Sequence, residues 1–92
     1  MTSPALINLV KQYSEGKIDS NNNPVISDIL QQAFKEEFLY KGSNNIVSRI
    51  FLRKESIKSI AETSHLSEQE IQITQNEFLA KIKEAITLQQ EK

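Results

Sequence analysis

Apolar residues recur along this chain at three- and four-residue steps, the spacing that lines one face of an α-helix rather than one face of a strand. Leu6, Leu9, Val10 and Tyr13 form the first stripe. Ile26, Ile29, Leu30, Ala33, Phe34, Phe38 and Leu39 form a second and broader one. Ile46, Val47, Ile50, Phe51 and Leu52 make a short third segment, apolar on nearly every side and therefore expected to be buried all round. Ile57, Ile60 and Ala61 give a brief fourth stripe. Ile71, Phe78, Ile82 and either Ala85 or Ile86 mark the inner side of a fifth, from which Ile73 and Leu88 stand apart. The pattern predicts an all-α fold, a small bundle of about five helices.

Boundary residues agree with that division. Ser3 is placed to accept from the first N–H groups of a helix opened by Pro4, and Gly16 can take the left-handed conformation just past its end. Residues 17–23 hold Asp, Ser and three consecutive Asn, whose side chains compete with helical hydrogen bonds, so a loop is expected. Pro24 or Ser27 opens the second helix and Gly42 ends it, while the third should begin near Ser43 or Asn44 and stop at the polar run Arg53 to Glu55. Ser56 begins the fourth. The strongest start signal is the S-x-x-E spacing of Ser67 and Glu70, which predicts a last helix from Glu68 to about Gln90. No heptad is sustained, so a long coiled coil is not expected. Residues 1–92 read as one domain, an N-terminal helical part to about residue 42 and a second part over 43–92.

The second part ends in a short helix, a turn of about three residues at Ser64, His65 and Leu66, and a capped longer helix, the layout of a helix-turn-helix. In that layout Ile57, Ile60 and Ala61 pack beneath the last helix, Ala61 lets the two axes approach, Leu66 plugs the turn, and Ile71 closes the core from the other side. Ile57, Ile60, Ala61, Leu66, Ile71, Phe78 and Ile82 are thus expected in one core. Charge qualifies what such a motif can do. Eleven Lys plus Arg against twelve Asp plus Glu give a net charge of −1, so no long-range field draws the protein to nucleic acid or to an acidic membrane. Arg49, Arg53, Lys54 and Lys58 are the one basic cluster, suited to phosphate positioning or to a solvated helix end.

The segment from Ile46 to Ile86 resembles region four of bacterial sigma factors and the closely similar LuxR-type response-regulator domain. The family motif I-A-x-x-x-G-[IL]-S-x-x-x-V finds Ile60, Ala61, His65, Leu66, Ser67 and Ile71 in register, with His65 in place of the usual Gly. Phe78, Leu79 and Ile82 fall where that family places the apolar residues of its last helix. The resemblance implies a transcription role, with contact to promoter DNA, to RNA polymerase or to another transcription protein. It makes Gln69, Gln72, Thr74 and Asn76 candidates for base contact, with phosphate contact from Arg49, Arg53, Lys54 and Lys58. The recognition positions also carry Glu68 and Glu70, and no Lys or Arg occurs between them and Lys81. That favours an alternative in which the scaffold is a protein-interaction module that has lost DNA affinity, using Glu68, Glu70, Ile73 and Glu77 as its partner surface.

Other chemistries find little support. The absence of Cys excludes thiolate zinc sites and cysteine nucleophiles, and a single imidazole, His65, excludes a multi-histidine metal site. No nucleophile-base set and no Gly-rich phosphate loop is visible, so neither an enzyme, a cofactor nor a small-molecule substrate is expected. Pairs such as Glu36 and Glu37 are expected on solvated helix surface. The apolar opening from Ala5 to Val10 is far too short to span a bilayer, and it reads as neither signal peptide nor anchor. A cytoplasmic protein, monomeric or homodimeric, is the expectation.

Overall fold

The structure, a computed structural model, describes residues 4–42 and 45–90. Among these there are five helices and no strand: α1 (Pro4–Ser14), α2 (Pro24–Lys41), α3 (Ile46–Phe51), α4 (Ile57–Ser64) and α5 (Glu68–Gln90). Their ends are fixed by local hydrogen bonds. α1 closes with Lys17 N–H on the Gln12 carbonyl and Gly16 N–H on the Tyr13 carbonyl, a pairing that needs the left-handed φ of 80° found at Gly16. Asn23 caps α2 by accepting from Ile26 N–H, so the helix opens at Pro24 rather than at Ser27. Asn45 caps α3 by accepting from Ser48 N–H at 2.8 Å. The expected cap at Ser3 and the expected start at Ser43 or Asn44 lie outside the described residues. Ser56 and Ser67 cap α4 and α5, accepting from Ser59 N–H and Glu70 N–H, each at 3.1 Å.

All four earlier helices pack on α5. The main core joins Leu6 and Val10 of α1, Leu30 and Phe34 of α2, Val47 and Phe51 of α3, and Phe78, Leu79 and Ile82 of α5. Phe34 sits at the centre of its aromatic group. Its ring stacks on Tyr13 with centroids 5.9 Å apart and meets Phe78 at 5.1 Å and Phe51 at 6.4 Å, the last edge-on at 79°. Such offsets let the positive edge of one ring face the negative face of another. Ile60 of α4 and Ile71 of α5 are also wholly buried, outside that contiguous cluster. Residues 17–23 form the expected loop, held by Asp19 Oδ1, which accepts from Asn21 and Asn22 N–H, and anchored by buried Ile18.

Several burial expectations are corrected. Leu66 is 36% exposed, so it does not plug the turn; Ile60 and Ile71 already close the junction of α4 with α5. Ile57 and Ala61 are half-buried rather than central. On α2 the buried row is Ser27, Leu30, Phe34 and Glu37, at steps of three, four and three, whereas Phe38 and Leu39 turn outward. Glu37, expected in solvent, is therefore inside. On α3 the all-round burial fails at Leu52, which caps the helix and is exposed.

Candidate functional site

α4 and α5 are joined by a short link, and the backbone that turns the chain there is at His65. It follows α4 directly with φ 63° and ψ 21°, in the left-handed region. A side chain with a Cβ is disfavoured there, although His is among the non-Gly residues that occupy it more often than most. The left-handed residue reverses the chain within one position, so Ser67 can cap α5 only two residues later.

Along α5 the helical rotation of about 100° per residue sorts the candidate residues into faces. Gln69, Gln72, Ile73 and Asn76 share one exposed stripe at steps of three, one and three, opposite buried Ile71, Phe78 and Ile82. Thr74 is not part of it. Its side chain lies toward the half-buried flank, and its hydroxyl donates to the Glu70 carbonyl at 3.0 Å. Glu70, Glu77 and Glu84, seven residues apart, form an exposed acidic row beside the amide stripe, and Ile73 lies between the two. Glu68 is exposed on the other side. The four residues of the alternative partner surface thus divide into a group of three and an outlier.

The basic cluster separates in three dimensions. Arg49 is largely enclosed, its side chain 14% exposed. Nε donates to Glu55 Oε2 at 3.0 Å, and Nη2 donates to Glu55 Oε1 at 2.9 Å and to Thr63 Oγ1 at 2.5 Å. The guanidinium therefore ties α3 to the link and to α4, and its planar fork satisfies both carboxylate oxygens at once. These bonds from Arg49 hold the Glu55 carboxyl below the ordinary carboxylate range despite burial, with Arg53 adding a smaller attraction. Arg49 is thereby committed to Glu55 and Thr63 and braces α3, the link and α4 together. Lys54, also left-handed at φ 59°, donates from Nζ to Ser14 Oγ at 3.0 Å and lies 3.9 Å from Glu15 Oε1, at the end of α1. Arg53 and Lys58 are exposed.

Compared with family models, with curated proteins and with solved structures, the chain matches none. The site must be read from its own geometry. No group of three or more His, Cys, Asp or Glu placed to hold a metal ion occurs among the described residues. No helix among them is long and apolar enough to cross a membrane. Two features escaped the sequence reading. One is the exposed apolar end of α2, Phe38, Leu39 and Tyr40. The other is a groove of about 220 Å³ between α2 and α5, for which the unexpected burial of Glu37 is the structural signal.

Proposed function

We propose that the chain is a non-catalytic helix-turn-helix module acting in transcription, with α4 as the supporting helix and the N-terminal half of α5 presented to duplex DNA. The observation that carries this reading is the left-handed turn at His65 leading into a Ser-capped helix whose outward stripe bears Gln69, Gln72 and Asn76. Side-chain amides are the groups that match an adenine edge bidentately in the major groove. With Arg49 braced inside the fold and Lys54 engaged with α1, phosphate contact falls mainly to exposed Lys58, with Arg53 beside it on the link. Glu68 and Glu70 oppose it. DNA affinity is therefore weak and, with so few phosphate contacts, only shallowly salt-dependent, and stable recruitment rests on an added contact with RNA polymerase or another transcription protein.

A second reading, a protein-interaction module without DNA affinity, is favoured by the same Arg49–Glu55 pairing and by the surface that Glu70, Ile73 and Glu77 share. Anisotropy of labelled mixed-sequence duplex across a salt series separates the two. The first reading expects binding at low salt, a slope reduced by about 1 in Lys58→Ala, and stronger binding in Glu70→Lys. Should wild type and Glu70→Lys both stay folded and inert toward duplex at low salt, the interaction module takes its place.

A further inference from the structure

The groove between α2 and α5 lies on the side of α5 away from the amide stripe. Its floor is apolar, formed by Ile29 and Ala33 of α2 and by Phe78, Ile82 and Ala85 of α5. Its α2 wall carries Asp28, Gln32 and Glu36 in an i, i+4, i+8 row, and Glu37 stands one residue further in. Lys81 is the one cation among the lining residues, so three carboxylates face one ammonium. Asp28 and Glu36 have no ion-pair partner among the described residues.

Glu37 is the telling residue. It is 6% exposed, and its Oε2, buried, accepts no hydrogen bond among the described residues. The Lys41 ammonium lies 3.2 Å from that oxygen but outside hydrogen-bonding geometry, and Lys41 itself is half exposed. The Glu37 carboxylate is thus paired by one half-exposed ammonium, and a second cation brought to the groove would add to that compensation. A volume of about 220 Å³ is below the 300 Å³ or so at which small-molecule sites begin, and it suits one long side chain.

The geometry points to this groove as a receptor for an arginine side chain presented by a partner protein. The aliphatic stem lies along Ala33, Phe78, Ile82 and Ala85, as long cationic side chains do on apolar surface, and the guanidinium meets Glu36 and Glu37. Arginine fits better than lysine because its rigid fork bonds a carboxylate bidentately, is weakly hydrated, and tolerates an aromatic neighbour such as Phe78. The site is independent of DNA contact, since its residues and the amide stripe occupy opposite faces of α5.

The test is a nuclear magnetic resonance titration of the full chain with a short, end-capped and otherwise uncharged peptide bearing one central arginine, beside a twin bearing citrulline, which keeps the shape and loses the charge. Saturable shifts at the Ala33, Ile82 and Ala85 methyls with the arginine peptide are expected, weakened about tenfold or more for citrulline. Glu36→Gln, at an exposed position that cannot harm the core, should weaken binding, and Glu37→Gln should weaken it further. Equal binding of the two peptides, shifts confined to the Glu70, Glu77 and Glu84 row, no shift at all, or no effect of Glu36→Gln would each overturn the assignment.

Discussion

Replacing His65 with Gly tests the turn on which the helix-turn-helix reading depends. At φ 63° and ψ 21° the Cβ of His65 stands close to the following carbonyl, a strain of about 1–2 kcal/mol for an L-residue. Gly removes that strain but gains freedom in the unfolded chain, which costs about 0.4–1 kcal/mol. The imidazole is exposed, so its loss opens no cavity. The net gain for His65→Gly is about 0.5–1 kcal/mol, read as a higher denaturant midpoint at unchanged slope. On heating, a domain of this size should gain roughly 2–8 °C in Tm. Lys54→Gly is the internal control: its φ of 59° is equally left-handed, but losing the Nζ bond to Ser14 offsets the relief and makes the gain smaller. A lowered midpoint for His65→Gly would refute the reasoning, because Gly weakens a residue in right-handed helical conformation by about 1 kcal/mol.

Two further predictions concern the parts that hold the motif in place. Phe34→Ala empties the centre of the aromatic group and should cost about 3–5 kcal/mol, a large share of the stability of a small domain, measured by urea unfolding. Because the Glu55 carboxyl is depressed in the folded state, the unfolded chain takes up its proton first as pH falls. The contribution is then fully present above the unfolded value of about 4.3 and is lost as pH falls through the folded value. Glu55→Gln should accordingly flatten the acid limb of a stability-against-pH curve, and an unchanged limb would remove Arg49 from its bracing role.

The helices and their caps were legible because the forces that set them are local. A serine hydroxyl reaches an N–H three residues on, and a glycine past a helix end takes the left-handed conformation; Ser56, Ser67 and Gly16 announce themselves in sequence, whereas left-handed His65, not being Gly, does not. Which face of a helix turns inward is set by neighbours instead. On α2, counting apolar residues selects Phe38 and Leu39, yet the row that faces α5 passes through Ser27, Leu30, Phe34 and Glu37, carrying polar residues at both ends. Among the described residues nothing packs over the last turn of α2, so Phe38, Leu39 and Tyr40 stay exposed however apolar they are. The basic cluster failed as a unit for the same reason. Its charges are near each other in sequence, but Arg49 finds Thr63 fourteen residues on and Lys54 finds Ser14 forty residues back.

The division of α5 into faces also makes its functional residues separable from its structural ones. At 23 residues, and so about 34 Å long, it packs against all the other helices, which short α3 alone also does among the described elements. That packing uses Ile71, Phe78, Leu79 and Ile82, each at most 2% exposed. Gln69 and Gln72 are exposed and turned away from Ile71, Phe78 and Ile82, where substitutions generally change stability by no more than about 0.5 kcal/mol. Loss of binding on changing them can therefore be read as loss of contact. A change at Ile71 or Phe78 cannot, because it alters the packing that holds α5 against α4 and the core. The amide stripe is consequently the place where the DNA reading stands or falls without ambiguity from unfolding.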